Sequence, residues 1–492
     1  MNEKNTPSFA TKVDRANIKT NFLEANANWV LPLILMVADW FSIICAGRLA
    51  FWLRNSAPLT SGVLRISWLN SYVVFPLLFI CFFHIAQLYQ KRMQFWLTIE
   101  KLFYGCTYGI ITTIILLYVT HKAGSTSRLY VFLLWLFSFG LTVTFRYVIK
   151  KSLELAGILQ LPVLLIGAGK TAGLLLHAFK GDIGLGYKVI GVLDDYGVNR
   201  QEVGDIPYLG TFADAERVIK ATRVRNVFIA APGLSTQALS ELIYRVQPLV
   251  RNVSFIPDLI GLPVGSIEVE SMFNEKMMVL RLRNNLARKY NRVIKFIFDE
   301  VLTVCGIIVF SPLLLVLVIA VKLDSPGPVF FAHRRVGKHR KSFPCYKFRT
   351  MCVDAKERLE ELLETDPTAK KEWEAEFKLK DDPRVTRIGK FLRKTSLDEL
   401  PQIMNVLKGE MSLVGPRPIV QEEVEKYGDY ISDYYMVRPG ITGMWQVSGR
   451  SDTSYAQRVQ MDSWYVRNWS VWIDIVLLFR TFKTVVSGKG AY

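Results

Sequence analysis

Long apolar runs constrain this chain more than any other feature. Residues 29–53, 69–89, 102–120 and 129–147 each approach the roughly 20 residues that a helix needs to cross bilayer hydrocarbon. Backbone polar groups in lipid must be satisfied within their own segment, so the runs are predicted to form a four-helix transmembrane bundle over 29–151, after a polar tail at 1–28. Basic residues set its orientation. Lys4, Lys12, Arg15, Lys19, Lys91, Arg92, Lys101, Arg146, Lys150 and Lys151 fall on one side, against Arg54, Arg65, Lys122 and Arg128 on the other. The positive-inside rule puts the N-terminus and everything after Lys151 of this multi-pass protein in the cytoplasm. Asp39 and Arg48 lie within the first run but not on one helix face, and the bundle interior is sufficient to hold them.

A net charge of +18 calls for acidic partners. With apolar spans in the same chain, the bilayer and phosphorylated substrates are the expected ones. No zinc-finger spacing or separate basic module is present, so no nucleic acid is expected. The cysteines, Cys45, Cys81, Cys106, Cys305, Cys345 and Cys352, form no C-x-x-C pair and read as small hydrophobes.

From Leu161 the pattern changes. A short apolar strand at 161–166 runs into Gly167-Ala168-Gly169-Lys170-Thr171-Ala172, and a second strand at 188–193 ends in Asp194-Asp195. Further strands at 226–230 and 252–256 predict a Rossmann-like α/β middle domain over 160–270. Gly-x-Gly-x-x-Ala alone is a weak nucleotide signal, and the Gly-Lys-Thr is no P-loop because Leu164 stands where that motif needs glycine. A scaffold that dimerises or regulates the chain is the expected role, with a homodimer as the assembly.

A fifth apolar run, 293–321, is flanked by Arg288, Lys289, Arg292 and Lys295 on one side and Lys322 on the other. A fifth crossing would carry the rest of the chain outside. Ser311-Pro312 in mid-run would break a straight helix, so the expectation is a re-entrant helix that enters and leaves by the same face. Residues 354–380 then read as amphipathic helix, and Trp464, Trp469 and Trp472 as an interfacial tail.

The chemistry concentrates between Arg393 and Pro418. Asp398 and Glu399 are adjacent acids with Arg393 before them and Arg417 after them. On a helix such neighbours diverge by about 100°, which suits two separate jobs, one carboxylate as nucleophile or base and the other as a holder of a hard cation such as Mg²⁺. Arginine forks would bind phosphate oxygens. The competing reading is a charged helix start, with Thr395 or Ser396 as N-cap. In Arg438-Pro439-Gly440-Ile441-Thr442-Gly443 and the nearby Trp445, glycines would let backbone approach a ligand while Arg438 and Trp445 contact a base or phosphate.

With Asp324-Ser325-Pro326-Gly327-Pro328, Arg335-Val336-Gly337, Tyr346-Lys347-Phe348-Arg349-Thr350-Met351 and Asp382-Pro383-Arg384-Val385-Thr386 in order around that stretch, residues 324–449 closely resemble the bacterial polyprenyl-phosphate sugar-1-phosphate transferases, the monotopic phosphoglycosyl transferases. The resemblance implies a C-terminal, mainly α catalytic domain over 285–492 in a multi-domain membrane protein of the large form. It implies Asp398 as nucleophile toward a UDP-sugar, a sugar-phosphoryl aspartate, release of UMP, and undecaprenyl phosphate as second substrate. Glu399 would hold Mg²⁺, and Arg393, Arg417, Lys347, Arg349 and Arg438 would bind substrate. The C-terminal ending and the middle domain look most like the galactose phosphotransferases of the group, with O-antigen, capsule or exopolysaccharide synthesis as the setting and UDP-glucose as the alternative donor. A membrane-anchored nucleotide-sugar dehydratase or epimerase using NAD would need a tyrosine base near a lysine, and no Tyr-x-x-x-Lys pair occurs between Leu161 and Met272.

Overall fold

The computed structural model describes residues 26–56, 66–121, 126–197, 200–257, 267–272, 277–282, 284–366, 370, 373, 382–448 and 453–487. The chain divides into two compact units, Met1–Asp258 and Leu259–Tyr492. Residues 1–25 of the expected N-terminal tail, most of the second half of the expected 354–380 helix and the last five residues lie outside the described residues, while residues 27 and 28 of that tail already belong to the first helix.

In the first unit, α1 (Ala27–Ser56), α2 (Phe75–Ile85), α3 (Phe95–Val119) and α4 (Arg128–Leu155) form the bundle. Three of these are long and apolar enough to cross a membrane, while the second segment is helical only over Asn70–Ile85 and is shorter than the expected 69–89. Its first turn is a π-helix, Asn70–Val74, in which Phe75 N–H donates to the Asn70 carbonyl. The widened turn absorbs Pro76, which cannot donate to the preceding turn. Small residues set the packing. A Cβ on Gly105 would stand 2.6 Å from the Phe83 ring, so α3 offers a notch into which α2 inserts an aromatic side chain.

The partner of Asp39 is Arg146, not Arg48. Arg146 Nε lies 2.9 Å from Asp39 Oδ1, and the Tyr89 hydroxyl donates to Asp39 Oδ2 at 2.6 Å. Both ions are buried, so Arg146 serves the bundle interior and does not add to the basic flank at which sequence reading counted it.

Below the bundle, β1 (Leu161–Ile166), β2 (Tyr187–Leu193), β3 (Tyr208–Gly210), β4 (Asn226–Ile229) and β5 (Asn252–Phe255) form a parallel sheet ordered β3-β2-β1-β4-β5. The helices α5 (Lys170–Gly181), α6 (Ala215–Thr222) and α7 (Thr236–Val246) connect them. β1 is buried along its whole length, as a central parallel strand requires. Arg92, in the loop between α2 and α3, donates to the Gly186 and Leu159 carbonyls at 2.7 and 3.0 Å and seats the sheet domain against the bundle.

The second unit is mainly helical. After the hairpin β6 (Ile267–Met272) and β7 (Met277–Leu282) comes α8 (Lys289–Asp324), a helix of 36 residues. The expected break at Ser311-Pro312 does not interrupt it. Pro312 has no N–H for the Ile308 carbonyl, and the Ser311 hydroxyl takes that acceptor at 3.0 Å. Residues 308–313 are exposed on every side, whereas Thr303 before them and Leu317 after them are buried.

The hairpin β8 (Phe330–Val336) and β9 (Ser342–Phe348) follows, then α9 (Ala355–Thr365), α10 (Arg387–Thr395), α11 (Ile403–Leu407), β10 (Ser412–Val414), β11 (Gly440–Thr442), α12 (Tyr455–Asn468) and α13 (Val471–Ser487). A buried polar knot joins four of these elements. Lys295 Nζ on α8 reaches Asp474 on α13 at 2.8 Å, Tyr465 on α12 donates to Asp474 at 2.7 Å, and Ser412 on β10 donates to Asp299 on α8 at 2.7 Å. Trp469 is part of the same knot, 2.9 Å from Asp474, so it is a core residue and not an interfacial one.

Candidate active site

The catalytic stretch is built as a stop and a restart. Thr386 caps α10 by accepting from Gly389 N–H at 3.0 Å, and the helix ends at Ser396 in a left-handed conformation, φ 56°. The chain restarts at once in a 3-10 turn, Leu397–Gln402, that carries Asp398 and Glu399 in its first turn. Ser396 makes no side-chain cap there, so the capped helix start considered from sequence does not form. With three residues per turn, adjacent side chains diverge by about 120°, yet one group from β9 bridges both acids. Lys347 Nζ lies 2.7 Å from Glu399 Oε1 and 3.6 Å from Asp398 Oδ2.

Tight backbone approach holds α10 against that strand. A Cβ on Gly389 would stand 2.2 Å from the Thr350 carbonyl oxygen, and Thr386 N–H donates to the same oxygen at 3.0 Å. Arg393 Nε then donates to the Thr350 hydroxyl at 3.0 Å. Asp398 is thereby set among Lys347, Glu399 and Arg393. Burial holds its pKa above the ordinary aspartate value, and Glu399 pushes the same way, while Lys347 and Arg393 oppose the rise.

Arg349, two residues beyond Lys347, is buried and donates to the carbonyl and hydroxyl of Ser325 at 2.7 and 2.8 Å. Gly327, at φ +119°, leaves room for its guanidinium, since a Cβ there would stand 2.1 Å from Nη1. Its Nε and Nη1 are buried without an acceptor.

Two other predicted arginines make aromatic contacts. Arg417 stacks on Trp445 at 5.7 Å, and Arg458 covers the same ring at 4.9 Å. Arg438 stacks on Phe296 of α8 at 4.8 Å and lines a different pocket, one that does not include Asp398. The glycines near it bring backbone to backbone, not backbone to ligand. Gly440 N–H donates to the Pro416 carbonyl at 2.8 Å, and a Cβ on Gly443 would stand 2.2 Å from the Gly415 carbonyl oxygen.

Sequence reading gave no role to Asn405. It is fully buried, accepts from Tyr346 N–H at 3.1 Å, and donates to the Pro344 carbonyl at 2.7 Å and Glu410 at 2.6 Å, so it ties β9 to α11. The signal was an asparagine among apolar residues in Ile403-Met404-Asn405-Val406-Leu407.

Two neighbouring carboxylates are a donor set that suits Mg²⁺, which takes one or two protein carboxylates and completes its shell with water and phosphate. Among the described residues no cluster of three or more carboxylate, histidine or cysteine ligands occurs. In the middle domain, both oxygens of Asp194 are engaged, accepting from Ala168 N–H at 2.7 Å and Tyr196 N–H at 2.8 Å. The acid that ends β2 therefore fastens the glycine turn itself.

The site thus holds an acid pair bridged by Lys347, with Arg393 beside it and the buried Arg349 two residues along the chain from that lysine, in a unit that also carries a helix long and apolar enough to cross a membrane. The bacterial sugar transferase family profile matches residues 290–488, and a CoA-binding domain profile matches 84–257. The chain is 40% identical to an undecaprenyl-phosphate galactose phosphotransferase of Salmonella typhimurium, over 82% of this chain and 84% of that protein. It is 38% identical to a UDP-galactose-lipid carrier transferase of Erwinia amylovora, over 82% and 84% of the two chains. Identity to a UDP-glucose:undecaprenyl-phosphate glucose-1-phosphate transferase of Escherichia coli is 36%, over 65% of this chain and 66% of that one. The chain belongs to the bacterial sugar transferase family.

Proposed function

We propose that the protein transfers galactose-1-phosphate from UDP-galactose to undecaprenyl phosphate, the entry step of a bacterial surface polysaccharide. The observation that carries the reading is the Asp398–Lys347–Glu399 arrangement with Arg393 beside it. An Asp398 oxygen attacks the sugar-bearing phosphorus, the bond to the UMP oxygen breaks, and the sugar phosphate rests on the carboxylate. An oxygen of the lipid phosphate then attacks the same phosphorus, breaks the acyl phosphate bond and returns Asp398 as carboxylate, so the two substrates react in turn at one site.

Glu399 would hold Mg²⁺, which when bound offsets the charge of the diphosphate. Arg393 would bind phosphoryl oxygens, and Lys347, released from Glu399 as metal and phosphate enter, would do the same. The two unpaired N–H groups of Arg349 support a phosphate acceptor there, since buried donors without partners are costly. Arg417, with Trp445, would contact the nucleotide.

The bare apolar stretch 308–313 of α8 would sit in the hydrocarbon. The basic residues at both ends of the apolar run, Arg288, Lys289, Arg292 and Lys295 before it and Lys322 after it, support entry and exit by one face, a course that would keep Asp398 at the cytoplasmic face, where nucleotide sugars are. The donor reading rests on the two galactose-named relatives that cover most of the chain, and glucose is the second reading because of the Escherichia coli relative.

The test is UMP release from UDP-galactose and UDP-glucose with Mg²⁺ and undecaprenyl phosphate. Asp398→Asn is expected to lower release by at least about 10³-fold with the preferred donor. Normal release by that variant would remove Asp398 as nucleophile.

A further inference from the structure

Apart from the acid pair, the second unit carries a pocket of about 60 Å³ lined by Arg292, Lys295, Phe296 and Asp299 of α8, Lys338 in the β8–β9 turn, and Arg438, together with Ser412. Its charge is net positive. Lys295 pairs with both Asp299 and Asp474, so that cluster carries one net negative charge when all three are ionised, against the three positive charges of Arg292, Lys338 and Arg438 that also line the pocket. None of these three side chains makes a hydrogen bond or an ion pair with another described residue. Burial and the nearby Arg292 and Arg438 hold the Lys338 pKa below its ordinary value, so the three cations are near enough to repel one another. Three like charges held together against a single net negative charge raise the energy of the empty pocket, and an anion relieves it.

The pocket is well separated from Asp398. In the β8–β9 register Lys347 stands opposite Phe331, while Ser342 stands opposite Val336 at the end that leads to Lys338. At about 3.4 Å per residue, the stretch from 342 to 347 puts roughly 17 Å of strand between that end and Lys347. The helix agrees, because the pocket uses Arg292 to Asp299, whereas Leu317 and Val321 pack with Leu392, Leu397 and Leu400 of the catalytic stretch.

We infer that Arg292, Lys338 and Arg438 form a second phosphate-binding site, distinct from the one at Asp398. Arg292 and Arg438 supply forks for the phosphate oxygens and Lys338 a point charge, with Arg438 held in place by its stack on Phe296. The chemistry is that of a phosphate group, which a membrane phospholipid or a soluble phosphate can bring. Val293 and Ile297 flank Phe296 on α8 and are exposed, so an acyl chain attached to the phosphate would meet apolar surface.

The experiment uses the full chain purified in uncharged detergent, titrated calorimetrically with short-chain phosphatidylglycerol and, separately, with inorganic phosphate. The wild type is compared with Arg292→Gln/Lys338→Gln and with a control of equal charge, Lys356→Gln/Lys426→Gln. Each basic group near an anion contributes about five-fold in affinity, so the pocket variant is expected to bind roughly 30-fold more weakly and the control to match the wild type. Loss confined to phosphatidylglycerol identifies a lipid headgroup as the source, and an equal loss of inorganic phosphate identifies a soluble one. Equal affinities of wild type and pocket variant for both probes overturn the site. If the double variant melts at a lower temperature than the wild type, Arg438→Gln replaces it, acting from the opposite wall, and about five-fold weaker binding is expected.

Discussion

Lys347→Gln tests whether this lysine keeps Asp398 ionised. At 3.6 Å the two charges attract with about 4–5 kcal/mol at an effective dielectric near 20. Their side chains are 30% and 15% exposed, so solvent screening reduces the net effect to roughly 1–2 kcal/mol. One pKa unit corresponds to about 1.4 kcal/mol, and the Asp398 pKa, already raised by burial, should therefore rise by about one further unit. Glu399 loses the same partner, and its uncompensated charge acts in the same direction. A protonated carboxyl cannot attack phosphorus, so activity falls as pH drops through this pKa. The acid limb of kcat/KM for UMP release should lie about one pH unit higher in the variant than in the wild type, because that limb reports the free enzyme. Coincident acid limbs, with a uniform loss of rate at every pH, would refute the argument and assign Lys347 to substrate phosphate alone.

Three further substitutions and one control probe the supports of the site and the bundle. Gly389→Ala forces a Cβ against the Thr350 carbonyl, which should displace α10 at a cost of about 1–3 kcal/mol and lower kcat as Arg393 loses its seat; an unchanged kcat would show that α10 does not position the site. Asn405→Ala leaves Tyr346 N–H and the Pro344 carbonyl unpaired, and thermal unfolding should show a loss of about 2–4 kcal/mol. Arg146→Leu strands a buried carboxylate in the bundle and should cost about 3–5 kcal/mol, read as early melting in detergent, whereas Arg48→Leu should leave melting unchanged.

The apolar runs, the strand–glycine–helix signal at Leu161 and the acid pair were all legible as local pattern, because hydrophobic period and turn chemistry act over a few residues. β3 was missed because Tyr208–Gly210 is three residues long and shows no alternation. The continuity of α8 through Pro312 was missed because it depends on a serine hydroxyl taking the carbonyl that proline abandons. Glycines at 440 and 443 were read as letting backbone approach a ligand, whereas what approaches them is the backbone around Gly415, because sequence does not say what approaches.

By itself the sequence determined that this chain carries segments long and apolar enough to cross a membrane, a parallel α/β domain and two acids between arginines. Tertiary structure alone decided which charges meet. Asp39 found Arg146 more than a hundred positions away, Lys347 found both acids from a neighbouring strand, and Arg438 was drawn to Phe296 and away from the acid pair. The physical reason is range: backbone preferences are set by neighbours in the chain, whereas a charge pair is set by whichever group the packing brings within a few ångströms.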